Sequence, residues 1–139
     1  MKMSLGVLAD YANVTREGKL NIMGIFGVLW AKKFPAAHPQ MQLVIEFEAD
    51  RAEAGRMREM EIQLRSEDGP QVLPPLKGKM QMGAVPPGEL SRMHQILVLN
   101  NVRFEAQGQY QFVVMVDNEV KGQIPLKVVH LASESPVTQ

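Results

Sequence analysis

The chain has 139 residues, which is enough for one domain with a substantial hydrophobic core. It contains no cysteine, and this excludes a disulfide scaffold, a thiolate metal site and a cysteine nucleophile. Basic and acidic residues number 15 each, and the resulting zero net charge gives no electrostatic sign of nucleic-acid binding.

Apolar and polar residues alternate with a period of two along most of the chain, which predicts β-strands. The predicted strands, in chain order, are Met3–Ala9, Leu20–Ala31, Met41–Glu48, Met60–Arg65, Lys77–Met82, Met93–Asn100, Tyr110–Val116 and Val120–Val128. Turn residues at Arg16–Lys19, Ser66–Gly69 and Asp117–Asn118 separate some of these runs, and the segment Pro35–Pro39 predicts a loop. The pattern therefore predicts an all-β fold, an antiparallel β-sandwich of about eight strands that is immunoglobulin-like or jelly-roll-like.

The inward positions of four strands predict the core: Leu43, Ile45, Phe47, Ile62, Leu64, Phe112, Val114 and Leu126. Residues 1–130 are predicted to form a single domain, and 131–139 a flexible tail, because the tail has few side chains to bury. Pro125 has no N–H to donate, so the last strand should be an edge strand or contain a bulge.

Tyr110 follows a loop and comes two residues after Gly108, at the start of a predicted strand. Immunoglobulin-like sandwiches often have a tyrosine there, with its hydroxyl bonded back to the preceding corner. Tyr110 is therefore a candidate tyrosine corner; the alternative is an ordinary core aromatic with its hydroxyl at the rim.

No arrangement of residues typical of catalysis stands out. The histidines are His38, His94 and His130, and they share no metal-ligand spacing. The serines are scattered, and no Gly-x-Ser-x-Gly turn occurs. We therefore predict a protein that is not an enzyme and has no metal or cofactor, with a hydrolase that uses His38 or His94 as a minor alternative.

Asp10, Asn13 and Thr15 lie close together in a predicted loop between the first two strands. Short polar side chains of this kind bond to nearby backbone and stabilise turns, so we predict a structural loop. The alternative is a site for a hard cation, but such a site needs six or more oxygen ligands.

The segment Leu20–Trp30 is apolar on both faces of its predicted strand. We expect Met23, Ile25 and Leu29 to point away from the core and to form a candidate interface. The alternative is that a loop of the same chain covers this face.

The segment Asp10–Phe26 resembles the opening part of an uncharacterised family of small bacterial proteins of unknown function. Similarity extends to Phe34–Met41, Gly108–Phe112 and Ile124–Val128, and so covers most of the chain. The resemblance implies a compact domain and carries no activity, cofactor or catalytic residue.

Function is predicted from these features together. The leading hypothesis is a cytoplasmic, non-enzymatic β-sandwich that acts through protein–protein contacts, as a homo-oligomer or an accessory subunit, with neither nucleic acid nor membrane as a partner. The second hypothesis is a small-ligand or glycan-binding module, with Tyr11, Arg16 and Trp30 as candidates. The N-terminal apolar run has no cleavage site and falls short of the roughly 20 residues that span a membrane, which supports the cytoplasmic prediction.

Overall fold

The computed structural model describes residues 1–131, and within them it contains nine strands and no helix. The strands are β1 (Lys2–Val14), β2 (Leu20–Phe26), β3 (Val28–Ala31), β4 (Ala36–Ala49), β5 (Met57–Ser66), β6 (Leu76–Gln81), β7 (Ser91–Phe104), β8 (Gly108–Val116) and β9 (Glu119–His130). The all-β prediction is confirmed. The predicted C-terminal tail lies outside the described residues, apart from Leu131.

The strands form two sheets, a four-stranded sheet with the order β2-β1-β4-β7 and a five-stranded sheet with the order β3-β9-β8-β5-β6. All described pairs are antiparallel except β3 with β9, which is parallel. The expectation of a purely antiparallel arrangement is wrong for this pair. The chain leaves the edge of the first sheet at the end of β2 and joins the edge of the second sheet as β3. There β3 and its neighbour β9 run in the same direction.

The predicted strand Leu20–Ala31 is divided at Gly27, where the chain passes from the edge of one sheet to the edge of the other. The carbonyl of Gly27 accepts a hydrogen bond from the Lys127 N–H of β9, at 2.9 Å. Phe26 and Leu29 both pack against the core, although two residues separate them. The alternation of inward and outward side chains therefore changes phase at the crossing.

The core lies between the two sheets. All eight predicted core side chains are buried, with exposed fractions of at most 1%. The strands β1 and β9 approach closely at Gly6, where an added Cβ would lie 2.9 Å from Cγ1 of Ile124. A larger residue at position 6 would therefore require the side chains of Ile124 and Met3 to shift.

Two prolines lie where the ladder is incomplete. Pro39 belongs to β4, so the predicted loop at Pro35–Pro39 is wrong from Ala36 onward; this part of β4 pairs only with β7, and a missing N–H is tolerated on its other side. Pro125 precedes the point at which β3 begins to cover β9, at Lys127. β9 is an interior strand of its sheet and not an edge strand. It does contain a register shift, but the shift lies beside Gly122 and not at Pro125.

Candidate functional site

The structure places Asp10 and Asn13 inside β1, and only Thr15 in the turn that follows. The Thr15 side-chain oxygen accepts the Lys19 N–H at 3.0 Å, and its carbonyl accepts the Gly18 N–H at 2.9 Å. Asn13 instead accepts a hydrogen bond from the side chain of Asn21, across the hairpin, at 3.0 Å. The predicted loop from Asp10 is therefore wrong in extent, because the strand pairing continues to Val14.

Asp10 is exposed and lies opposite Gly24. Gly24 has a φ of 72°, and an added Cβ would collide with the Asp10 carboxylate. Within residues 1–131, no group of three or more histidine, aspartate or glutamate side chains is arranged to hold a metal ion.

Two of the three candidate interface residues are exposed. Met23 is 63% exposed and Ile25 is 61% exposed, both on the outer face of β2. Leu29 packs against the core instead, so its predicted outward position is wrong. The phase change at Gly27 is the reason, and it places Trp30 at an outward position with 64% exposure.

The outer face of the four-stranded sheet carries an apolar patch. We use this name for four exposed side chains: Tyr11, Met23, Ile25 and Val98. Tyr11 pairs with Met23, and Ile25 pairs with Ala9. Gln42 of β4 pairs with both Ala9 and Val98, so Val98 lies on the same face as Ile25, with the buried residues Ala9 and Gln42 between them.

A polar cluster occupies the other end of the same face. Ser4 donates a hydrogen bond to one oxygen of Glu46 at 2.7 Å, and Nε2 of His94 lies 2.8 Å from the other oxygen. The hydrogen bond from Ser4 lowers the pKa of Glu46, and the bond and charge of His94 lower it further, against the opposing effect of burial. The carboxylate therefore stands between the serine and the histidine, which differs from the order of a nucleophilic triad.

The other histidines lie apart from this cluster. The ring of His38 lies against Phe26 with centroids 6.0 Å apart, and the ring of His130 lies against Phe34 at 6.2 Å. Each of these two histidines therefore has an aromatic ring as a neighbour.

A cavity of about 410 Å³ opens at one end of the molecule, and we call it the loop-end cleft. One wall is the turn after β5, including Ser66, Glu67 and Asp68. The other wall is the corner between β7 and β8, from Arg103 to Tyr110. The candidates Tyr11, Arg16 and Trp30 do not line it.

Hydrogen bonds fix both walls of the loop-end cleft. The Tyr110 hydroxyl donates to the carbonyl of Ala106, four residues earlier, and its ring packs edge-on against Phe104 with centroids 5.0 Å apart. Burial raises the pKa of this hydroxyl, and the bond to Ala106 opposes that effect. The Glu67 N–H donates to the carbonyl of Gln109 at 2.9 Å, which ties one wall to the other.

Charged groups of both signs line the loop-end cleft. Arg103 lies 2.8 Å from the carboxylate of Glu105, and both side chains are mostly exposed. Glu67 and Asp68 add two carboxylates from the opposite wall. The cleft therefore offers donors and acceptors for a polar molecule.

Comparison with known families gives a match over residues 4–129, to a group described as a Family of unknown function (DUF6941). The chain belongs to this family. The resemblance to an uncharacterised family is thereby confirmed. No curated protein matches the sequence.

One solved structure similar to this DUF6941 chain is a Pseudomonas fluorescens alkylpurine DNA glycosylase bound to DNA containing an abasic site analog. The sequences are 13% identical, and the TM-score is 0.42. The match covers 73% of this chain and 27% of the glycosylase chain. A likeness at this level assigns no activity to the DUF6941 chain.

The prediction about partners is corrected by this comparison. Self-association or a protein partner was expected, with nucleic acid and membrane excluded. The matching structure is a complex with DNA, so the exclusion of nucleic acid is withdrawn. The comparisons give no support for self-association or for a protein partner. Within residues 1–131 no helix is long and apolar enough to cross a membrane.

Proposed function

We propose that the protein is a non-enzymatic binding module and that it holds a small polar ligand in the loop-end cleft. The observation that carries this proposal is the cavity of about 410 Å³ between two cross-linked walls. Pockets for small ligands commonly have volumes of roughly 300–1,000 Å³, so a metabolite-sized molecule fits.

The rigidity of the walls supports binding. The Tyr110–Ala106 bond holds the β7–β8 corner, and the Glu67–Gln109 bond fixes the β5 turn beside it. A ligand that enters a preformed cleft loses less free energy to the ordering of loops. The same bonds hold the two walls that carry the charged residues Arg103 and Glu67.

The character of the lining favours a polar ligand over one that depends on stacking. Sugar recognition often uses an exposed aromatic face, and the exposed aromatics Tyr11 and Trp30 lie outside the cleft. The aromatic in the lining, Tyr110, is 8% exposed and packs against Phe104. Hydrogen bonds and charges are therefore the expected means of recognition.

The proposal extends to the type of fold and the location. The bond from Tyr110 to Ala106 supports an immunoglobulin-like sandwich, since a tyrosine at this point of such folds bonds to backbone a few residues upstream. On the sequence grounds given above, we propose a cytoplasmic protein.

A thermal-shift screen tests the proposed function. The chain is melted with a panel of amino acids, nucleosides, monosaccharides and small carboxylic acids. We expect at least one compound to raise the melting temperature, because a ligand of the native state stabilises it. The shift should be lost in Arg103→Ala.

Arg92→Ala is the matched control. Arg92 also bonds a glutamate, Glu48, through its Nε, at 3.0 Å, and is similarly exposed, but it lies outside the cleft. A panel without any stabilising compound, or a compound whose effect is the same in both variants, would contradict the proposed site.

A further inference from the structure

The β1–β2 hairpin extends beyond the sheet to which it belongs. β1 pairs with β4 only from Lys2 to Ala9, whereas its pairing with β2 continues to Val14. Residues 11–24 therefore form a two-stranded ribbon, which we call the arm. A two-stranded hairpin is marginally stable in water unless something packs against it.

One side chain of the arm, Ala12, is buried, at 6% exposure, and none belongs to the main core cluster. The arm's apolar members outside the core cluster are Tyr11, Ala12, Val14, Leu20, Ile22 and Met23. At the base of the hairpin the situation changes, because Leu8 and Phe26 belong to or pack against that core. The boundary between arm and body thus falls between these two sets.

One buried side chain ties the arm to the body. Gln42 of β4 is 5% exposed, and its Oε1 accepts the backbone N–H of Ala12 at 2.9 Å. Ala12 lies three residues beyond Ala9, the last residue of β1 that pairs with β4. Apart from the strand ladders, no other hydrogen bond joins the arm to the body among residues 1–131.

We infer that the arm opens as a unit about its base, without unfolding of the core, and that Gln42 is the latch that holds it closed. Local opening of this kind is expected where a segment has few buried apolar contacts. Tyr11 and Met23 move with the arm, while Ile25 and Val98 stay with the body. Opening therefore moves Tyr11 and Met23 away from Ile25 and Val98, and the latch controls this separation of the apolar patch.

Native-state hydrogen exchange on the full chain tests this inference. We expect the amides of residues 11–14 and 20–23 to exchange through an opening that depends little on denaturant. The amides of β4 and β8 should exchange only through global unfolding. Gln42→Ala should lower protection in the arm by about tenfold, since one hydrogen bond to a buried group is lost, and leave β8 unchanged.

Gln40→Ala provides a matched control on the same strand. Gln40 is exposed and bonds the side chain of Asn100 at 3.1 Å, away from the arm. The inference is overturned if arm amides show the same denaturant dependence as those of β8. It is also overturned if Gln42→Ala lowers protection equally throughout the chain. If Gln42→Ala does not fold, the denaturant dependence of amide exchange in the wild-type chain tests the inference by itself.

Discussion

Phe112 illustrates how single residues stabilise this fold. It is fully buried in β8, where it pairs with Leu64 on one side and Ile124 on the other. Neighbouring positions of the same strand, such as Gln111, are partly exposed. The inward positions of the period of two, Tyr110, Phe112, Val114 and Val116, are all buried, and so they were predictable from the sequence; Val113, on the other face, is buried as well.

Truncation of Phe112 should cost stability. We expect Phe112→Ala to lower the free energy of unfolding by about 3–5 kcal/mol, because it removes buried surface and leaves a cavity. Val120→Ala, at a position that is 52% exposed, should change it by less than about 0.5 kcal/mol. Urea melts measure both, and a loss below about 1 kcal/mol for Phe112→Ala would contradict its inward placement.

Ser4 should control the acid titration of Glu46. The folded-state pKa of Glu46 lies below its unfolded value, so its contribution to stability is present above about pH 4.3 and is lost as the pH falls through the folded pKa. In Ser4→Ala the pKa should rise toward its ordinary value, and less stability should be lost on acidification. Carboxyl NMR of Glu46 between pH 6 and pH 2 measures this, and an unchanged pKa would refute the role of Ser4.

Elements were predictable from sequence where one face meets the core and the other meets water. β5 shows this alternation, and its bounds were predicted to within three residues. β8 shows it except at Val113, which is also buried. β4 was predicted five residues too short at its start, and both of its faces are buried between Met41 and Ile45. The crossing at Gly27 was missed because Leu20–Trp30 is apolar on both faces, so the pattern gives no phase. Leu29 was misplaced for that reason. The end of β1 was missed because Asp10 and Asn13 are turn-forming types that here lie in a paired strand.

The β1–β2 hairpin should depend on Gly24. We expect Gly24→Ala to lower the free energy of unfolding by about 1–3 kcal/mol, since a side chain at φ 72° is strained and its Cβ meets Asp10. Gly18→Ala is the control, because its φ of 88° is also strained but the space around it is open. The loss should be smaller there. Equal losses in denaturant melts would show that the contact with Asp10 has no effect.

At the scale of the whole molecule, the loop-end cleft could not be derived from the sequence. Its walls are Ser66–Val72 and Arg103–Tyr110, which are far apart in the chain. Each was recognisable as a turn or a loop, and Tyr110 was identified as a candidate corner. Nothing in the sequence places the two walls side by side, because that depends on the pairing of β5 with β8.

Tyr110 should hold one wall of the cleft in place. Tyr110→Phe keeps the ring beside Phe104 and removes the bond to Ala106, at a cost of about 0.5–1.5 kcal/mol. The same variant should weaken binding of any compound found in the thermal-shift screen. Tyr11→Phe, at a position that is 48% exposed, is the control and should change neither quantity. Equal effects of the two variants would argue against a positioned corner.

An amide NMR titration of the chain with the most stabilising compound of the screen tests the binding function most directly. We expect the largest shift changes at residues 66–72 and 103–110, which line the loop-end cleft. Changes concentrated at the apolar patch, or spread evenly over both sheets, would contradict the account.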